Sequence, residues 1–192
     1  MTFGSVRRPL VMGVVNLTPD SFSDGGRFLE ADAALIQARR LIAEGADILD
    51  LGAESTRPGA QPVGADEELS RLLPLIEAIR SDSAATISVD TMKPQVAQAA
   101  IAAGADIWND VTALTHVPDA PDVAASLGCE VMLMHMQGEP RTMQDDPRYG
   151  DVVAEVERYL LARAAEAEEA GVARDKIWID PGIGFGKTVE HN

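Results

Sequence analysis

The residues best suited to chemistry are six polar side chains that each lie at the end of a short apolar run. They are Asn16, Asp50, Asp90, Asn109, His135 and Asp180. Short apolar runs that are followed by turn-forming residues are typical of buried strands. One such polar residue would be explained as a turn former or a helix N-cap. Six of them predict a shared polar site, because the carboxyl ends of parallel strands converge on one mouth in a barrel.

Three of these residues, Asp90, Asn109 and Asp180, offer hydrogen-bond acceptors together with one amide donor group. Such a set suits a flat heterocycle that carries ring N–H and amino groups. The alternative is that each side chain satisfies nearby backbone groups, which is the usual role of a buried polar residue. The carbonyl oxygen of Asn16 suits a hard cation such as Mg²⁺ beside a phosphorylated substrate.

Two long polar loops follow the first two predicted strands and are predicted to bind ligand. Ordered loops of more than about 12 residues are uncommon and are usually functional or disordered. Phe22 in the first loop is a large aromatic residue that a solvated loop does not need. Phe22 offers a stacking face and Arg57 in the second loop offers a cation, and both are suited to close on a bound ligand.

The elements that position these residues alternate regularly along the chain. Short apolar runs predict strands at residues 10–15, 48–51, 86–89, 106–108, 130–134 and 177–179. Apolar residues at helical spacing predict helices at residues 31–44, 67–79, 95–103, 122–127 and 151–170. Pro74 lies inside the second of these helices, so that helix is expected to kink or to begin near Pro74.

This alternation predicts a parallel sheet with helical crossovers, and the continuous apolar runs predict strands that are buried on both faces. A doubly wound sheet and a (β/α)8 barrel both fit the pattern. The six polar strand ends favour the barrel, because an open sheet would spread them along one edge. A barrel needs eight units and typically about 250 residues. This chain has 192 residues, so we expect a single domain over residues 1–192 with about six of the eight units, truncated at its C-terminal end.

The composition excludes several classes of partner. The formal net charge is −15 and no cluster of Lys and Arg is present, so the surface should repel nucleic acids and anionic lipids. No segment approaches the ~20 apolar residues of a membrane span. The apolar run after Arg7 and Arg8 is too short for an export signal, which predicts a cytoplasmic protein. The single cysteine, Cys129, is expected to be a buried thiol.

Two further features carry less chemistry than they first suggest. The Gly-rich segment 181–188 ends in Gly-Lys-Thr, but a phosphate-binding P-loop needs Gly six positions before the lysine, and position 181 is Pro. The three histidines have no metal-ligand spacing. His135 fits a hydrogen-bonded core residue as well as a catalytic one.

Six motifs, taken in chain order, resemble those of the dihydropteroate synthase family. They are NLTPDSFSDGG at 16–26, GAESTRPG at 52–59, SVDT at 88–91, NDV at 109–111, MHMQG at 134–138 and DPG at 180–182. The resemblance covers nearly the whole chain, and its first two motifs are highly specific. It implies a TIM barrel that joins 4-aminobenzoate to a 7,8-dihydropterin diphosphate in folate biosynthesis. It also implies that sulfonamides compete with 4-aminobenzoate.

The resemblance also implies a role for each candidate site residue. The pterin contacts would be Asp90, Asn109 and Asp180, with Met134 beside the ring. Asn16 would contact Mg²⁺ and the diphosphate.

The mobile-loop residues that the resemblance implies are Phe22, Thr56 and Arg57, which would help to build the diphosphate and 4-aminobenzoate sites. Phe22 and Arg57 are the two residues that we expect to be catalytic. No protein nucleophile is needed for this reaction, which agrees with the absence of a nucleophile motif from the sequence.

The sequence departs from the family pattern at its end. The family's Ser-Arg-Lys and Arg-Val-His motifs, which carry a pterin-binding lysine and an anion-binding Arg/His pair, are not present. We therefore expect a fragment that is inactive and marginally folded by itself, without the late helices that form the family's homodimer. Two alternatives remain: a pterin-dependent methyltransferase, and a non-catalytic pterin-binding paralogue or partner subunit.

Overall fold

The structure is a computed structural model, and it describes residues 8–17, 27–55, 62–140 and 142–192. The strands are β1 (Met12–Asn16), β2 (Ile48–Gly52), β3 (Thr86–Asp90), β4 (Ile107–Asp110), β5 (Glu130–Met134) and β6 (Ile177–Asp180). The α-helices are α1 (Arg27–Ala43), α2 (Ala65–Asp82), α3 (Pro94–Ala102), α4 (Ala120–Leu127) and α5 (Val152–Ala170). A short 3-10 helix, Arg174–Lys176, precedes β6.

The six described strands form one parallel sheet in the order β1-β2-β3-β4-β5-β6. Each strand therefore pairs with the next strand in the chain, after one crossover. A doubly wound sheet would reverse its strand order at a switch point, and this sheet does not. The fold is the expected incomplete (β/α)8 barrel, with six strands and the helices between them.

The hydrophobic core lies between the outer face of the sheet and the helices. One cluster joins Val15, Leu49, Leu51, Ile87 and Val89 to α1, α2 and α3. A second cluster joins Trp108, Val131 and Leu133 to α4 and α5, and Cys129 belongs to it as a buried thiol. Burial of one large apolar side chain contributes roughly 1.5–3 kcal/mol, so this face fixes the helices against the strands.

The first and last strands differ from the prediction of burial on both faces. All five residues of β2 are buried. In β1, however, Val14 is 49% exposed, and in β6 Ile179 is 55% exposed. The prediction is wrong for β1 and β6 because each of them pairs with a strand on one side only in the described sheet.

Helix α2 differs from its prediction at both ends. It begins at Ala65 and continues through Pro74 to Asp82, so it does not begin near the proline. Its first turn carries three acidic residues, Asp66, Glu67 and Glu68. Acidic residues stabilise a helix N-terminus through the helix dipole, but they carry no apolar periodicity that a sequence pattern could detect. No helix in the described ranges is long and apolar enough to cross a membrane.

Candidate ligand-binding site at the carboxyl ends of the strands

Strand register places most of the predicted site residues side by side. Neighbouring strands align, in order, Asn16, Gly52, Asp90, Asn109 and Met132. Side chains at paired positions of a sheet point to the same face. Met134, two residues beyond Met132 on β5, points to the same face as Met132. Asp180 on β6 pairs with Met134 and therefore lies on this face as well. We call this the inner face of the sheet.

A cavity with a volume of about 400 Å³ lies on the inner face of the sheet. Its lining includes all five predicted site residues that the structure describes, namely Asn16, Asp90, Asn109, Met134 and Asp180. Pockets for small ligands are usually about 300–1,000 Å³, so the cavity is large enough for a bicyclic ring. Phe22, Thr56 and Arg57 lie outside the described residues.

Gly52 leaves room between two of the site residues. A Cβ atom at Gly52 would lie 3.3 Å from Asp90 Oδ2 and 3.6 Å from Asn16 Oδ1. Both oxygens therefore face the same small space. Any larger residue at position 52 would occupy the space through which a ligand or cation reaches these two acceptors.

The acidic residues of the inner face influence one another. Burial raises the pKa of Asp90 well above its usual range, and the carboxylates of Asp50 and Asp110 raise it further. Burial also raises the pKa of Asp50. Asn109 Nδ2 donates to Asp50 Oδ1 at 3.2 Å, which orients the Asn109 amide. Carboxyl groups with strongly shifted pKa values in a cleft are typical of functional sites.

Asp110 positions the end of β4 rather than lining the cavity. Its carboxylate accepts hydrogen bonds from Thr112 N at 2.7 Å and Leu114 N at 2.9 Å. Ala113 and Leu114 both have left-handed backbone, with φ values of 52° and 61°. Left-handed backbone costs roughly 1–2 kcal/mol per non-glycine residue. Asp110 helps to offset that cost and holds the turn that follows Asn109.

A buried ion-pair cluster supports another wall of the cavity. Glu54 lines the cavity, and its Oε2 accepts from Lys93 Nζ at 2.6 Å while its Oε1 accepts from Val63 N at 2.9 Å. Lys93 Nζ also donates to Glu68 Oε1 at 2.7 Å, and Glu68 is fully buried. Burial opposes a charged lysine here, but the hydrogen bonds with Glu54 and Glu68 raise the pKa of Lys93.

Sequence reasoning gave no role to several lining residues, among them Glu54 and Phe185. Glu54 lies in the GAESTRPG motif at 52–59, in which only Thr56 and Arg57 receive a role from the sequence. Phe185 lies in the Gly-rich segment, which was considered only as a phosphate loop. A large aromatic residue among glycines was the available signal, and the same argument had singled out Phe22.

His135 is a buried, hydrogen-bonded residue. It is 6% exposed, and its Nδ1 lies 3.0 Å from Lys187 Nζ. Its ring packs edge-on against Tyr159, with ring centres 5.0 Å apart. Of the two interpretations that the sequence left open for His135, this geometry supports the hydrogen-bonded core residue.

The donor set of the site contains oxygen rather than nitrogen or sulfur. Within the described ranges, no group of three or more His, Cys, Asp or Glu residues is placed to hold a metal ion. The oxygens that face the space above Gly52 belong to one carboxamide and one carboxylate. Hard cations such as Mg²⁺ bind oxygen ligands of this kind.

Sequence comparison relates this chain to enzymes of folate synthesis. The sequence profile of the pterin-binding enzymes matches residues 12–192. The dihydropteroate synthase of Escherichia coli is 50% identical over 184 residues, a match that covers 96% of this chain and 65% of that protein. The chain therefore spans about 65% of the length of this relative.

Structure comparison gives the same result. The Xanthomonas albilineans dihydropteroate synthase with 4-aminobenzoic acid has a TM-score of 0.89 and 52% identity, over 97% of this chain and 66% of that one. The same enzyme in complex with 7,8-dihydropteroate has a TM-score of 0.84 and 48% identity, over 97% and 65%. The Yersinia pestis dihydropteroate synthase with a sulfonamide drug has a TM-score of 0.89 and 45% identity, over 96% and 67%.

Proposed function

Because this chain belongs to the pterin-binding enzyme family, we propose that it carries the pterin site of a dihydropteroate synthase. The reaction joins 7,8-dihydropterin-6-ylmethyl diphosphate to 4-aminobenzoate and gives 7,8-dihydropteroate and diphosphate. The observation that carries the proposal is that Asn16, Asp90, Asn109, Met134 and Asp180 line the same cavity. Relatives that bind 4-aminobenzoic acid and 7,8-dihydropteroate support it.

The pterin ring would be recognised by the acidic and amide groups of the inner face. Asp90 and Asp180 offer carboxyl groups to the ring N–H and amino donors, and Asn109 offers both a donor and an acceptor. Met134, which is 4% exposed, would contact the flat face of the ring. Burial raises the pKa of Asp90 and so favours its protonated form, which would donate a hydrogen bond to a ring acceptor.

In the reaction, the bond between the ring-bound methylene carbon and the diphosphate oxygen breaks. Electron density from the ring stabilises the positive charge that develops on the methylene carbon. The amine nitrogen of 4-aminobenzoate then bonds to that carbon and loses one proton. The chain needs only to bind and orient the two substrates. We propose that Phe22 and Arg57 act at this step and that Thr56 binds substrate beside them, on loop positions outside the described residues.

Asn16 would hold Mg²⁺ through its side-chain oxygen, with diphosphate oxygens and water as the other ligands. This donor set fits, because Mg²⁺ usually takes one or two protein oxygens together with substrate phosphates. When bound, Mg²⁺ would neutralise the charge that develops on the leaving diphosphate.

We propose further that residues 1–192 form one domain that works in the cytoplasm on small-molecule substrates, without a nucleic-acid or membrane partner. The formal net charge of −15 supports the last point, because such a surface repels phosphate backbones and anionic lipid headgroups. Sulfonamides should compete with 4-aminobenzoate, and the complex of the Yersinia pestis dihydropteroate synthase with a sulfonamide drug supports this.

Ligand binding tests the proposal most directly, because the chain spans about 65% of the length of its relative. Calorimetric titration with 6-hydroxymethylpterin should show saturable binding to the wild-type chain. Asp180→Asn should weaken that binding by about tenfold or more, since a hydrogen bond to a charged group contributes about 1.5–3 kcal/mol. The substitution keeps the oxygen that accepts from Gly182 N at 2.7 Å.

The matched control is Asp175→Asn, an exposed position in the 3-10 helix before β6. This variant should bind 6-hydroxymethylpterin as the wild type does. Absence of binding to the wild-type chain would contradict the proposal, and so would equal affinities for the wild type and Asp180→Asn.

A further inference from the structure

The Gly-rich segment after β6 folds around the ammonium group of Lys187. Lys187 is 5% exposed. Its Nζ makes three short contacts, 3.0 Å to Gly182 O, 3.1 Å to Phe185 O and 3.0 Å to His135 Nδ1, and it also lies 3.5 Å from His135 O. A lysine ammonium has three N–H donors and no acceptor. These three contacts use all of its donors, so none is left for a phosphate group.

The backbone of the same segment is also occupied by internal hydrogen bonds. Gly182 N donates to Asp180 Oδ1 at 2.7 Å, Gly184 N to Asn192 Oδ1 at 2.8 Å and Phe185 N to Gly182 O at 3.0 Å. In a phosphate-binding loop these N–H groups would point at the anion. The segment therefore has a role other than phosphate binding.

The segment lies directly against the chain that follows β5. A Cβ atom at Gly182, whose φ is 65°, would lie 2.0 Å from His135 O. A Cβ atom at Gly186, whose φ is 59°, would lie 2.7 Å from Gln137 O. Only glycine fits such contacts with a left-handed backbone. This close approach is what allows Lys187 to reach His135.

We propose that Lys187 is a positioning residue whose buried ammonium ties the 182–185 turn to His135 and thereby holds Phe185 against the ligand cavity. Two of its three acceptors, Gly182 O and Phe185 O, bracket the turn that carries the Phe185 side chain. The third acceptor belongs to the residue that follows β5. Phe185 lines the cavity, so its backbone position decides the shape of that wall. The identity of this ligand as a pterin depends on the proposed function.

The contact also fixes the proton of His135. Because Lys187 Nζ only donates, His135 Nδ1 must accept, and the neutral ring then carries its proton on Nε2. The other groups that face this ring are Tyr149, Tyr159 and Glu155. Burial lowers the pKa of His135, and the Lys187 charge lowers it further. Removal of that charge should therefore raise the pKa.

The first measurement needs no variant. Nitrogen NMR of the wild-type chain at neutral pH should show His135 with an unprotonated Nδ1 and a protonated Nε2. In Lys187→Met the pKa of His135 should be higher than in the wild type. A wild-type His135 with its proton on Nδ1 would overturn the proposal, and so would an unchanged pKa in the folded variant.

The second measurement is the affinity for pteroate, which carries both a pterin ring and 4-aminobenzoate. Lys187→Met should weaken binding by about fivefold or more, the order of the loss of one aromatic contact. The matched control is Lys176→Met, because Lys176 Nζ also donates to a backbone carbonyl, that of Gly128, at an exposed position. Lys176→Met should bind pteroate as the wild type does.

A double-variant cycle separates positioning from a general loss of stability. If Lys187 acts through Phe185, then Lys187→Met should cause no further loss of pteroate affinity in a Phe185→Ala background. Losses that multiply would overturn the proposal. If the wild-type chain binds no pteroate, the proposed function fails, and the His135 signature alone then decides whether Lys187 holds the turn.

Discussion

Lys93 and Lys187 both lie near the carboxyl ends of the strands and each supports a residue that lines the cavity, Glu54 and Phe185 respectively, but the two lysines have different kinds of hydrogen-bond partner. Lys93 Nζ donates to the carboxylates of Glu54 and Glu68 at 2.6 Å and 2.7 Å. Lys187 Nζ has two backbone carbonyls and the ring of His135 as its near partners. The pKa of Lys93 is raised by its carboxylates despite burial, whereas burial lowers the pKa of Lys187.

The difference shows that a buried lysine can stabilise a structure either through its positive charge or through the directions of its N–H donors. Lys93 compensates two carboxylates beside the cavity, so its value depends on its positive charge. Lys187 satisfies three acceptors around one turn, so its value depends on where its three donors point. A buried lysine next to residues that line the cavity is therefore not by itself a sign of phosphate binding.

The largest expected effect is the loss of stability in Lys93→Met. Glu68 is fully buried and Glu54 nearly so, and removal of one partner from a buried ion pair costs roughly 3–5 kcal/mol. Urea unfolding at pH 7 should show this loss in the free energy of unfolding. Adding Glu68→Gln to Lys93→Met should restore part of it, because one uncompensated carboxylate is then removed.

The control for Lys93→Met is Arg40→Met, which breaks an exposed pair with Glu44. Exposed pairs of this kind contribute about 0–1 kcal/mol. If the two variants lose the same stability, then Lys93 does not depend on its charge, and the contrast with Lys187 disappears.

The second expected effect concerns Asp90, whose carboxyl group is influenced by Glu54 and Glu68, the two partners of Lys93. The charges of Asp50, Asp110, Glu68 and Glu54 add to burial in raising its pKa. The folded state therefore binds a proton that the unfolded state releases, and this group's contribution to stability falls as pH rises above about 4. Asp90→Asn should therefore raise the free energy of unfolding at pH 7 relative to the wild type.

The same variant should bind 6-hydroxymethylpterin more weakly than the wild type, since Asp90 is proposed to contact the ring. A gain in stability together with a loss of binding would identify a carboxyl that is kept for its ligand. Asp90→Asn with lower stability than the wild type at pH 7 would contradict the expected repulsion.

The fold could be predicted from the sequence because each buried strand is a short apolar run. Strand β5 was predicted at its observed limits, and α5 differs only in that Asp151 is its N-cap, with a side chain that accepts from Ala154 N at 3.1 Å. The start of α2 was missed because its first turn is acidic and carries no apolar pattern. Patterns of apolar residues locate the buried middle of an element better than its polar ends.

The site could be predicted in part for the same reason. Strand ends converge in a barrel, so Asn16, Asp90 and Asp180 needed only correct strands to be placed together. The contacts of the two lysines could not be found in this way. Lys93 and Glu54 are 39 positions apart in the chain, and Lys187 and His135 are 52 apart. Only the fold brings such pairs together, and no local pattern records them.

The smallest expected effect is that the stability contributions of Lys93 and Lys187 change in opposite directions as pH rises in the alkaline range. The raised pKa of Lys93 means that its contribution to stability is complete at and below its ordinary value of 10.5 and is lost as pH rises through the higher folded value. The lowered pKa of Lys187 means that the unfolded chain binds more protons than the folded chain just below 10.5. The contribution of Lys187 to stability therefore grows as pH rises through that window.

Urea unfolding of the wild type, Lys93→Met and Lys187→Met at pH 7.5, 9 and 10.5 tests this difference. The loss in Lys187→Met should increase with pH, because burial lowers the folded pKa of Lys187, while the loss in Lys93→Met should stay nearly constant up to pH 10.5, because the folded pKa of Lys93 is raised. The charged groups that act on the two lysines differ, since Glu54 and Glu68 contact Lys93 whereas Asp180 acts on Lys187. Parallel pH profiles for the two variants would mean that the two lysines are held alike, against the contacts that distinguish them.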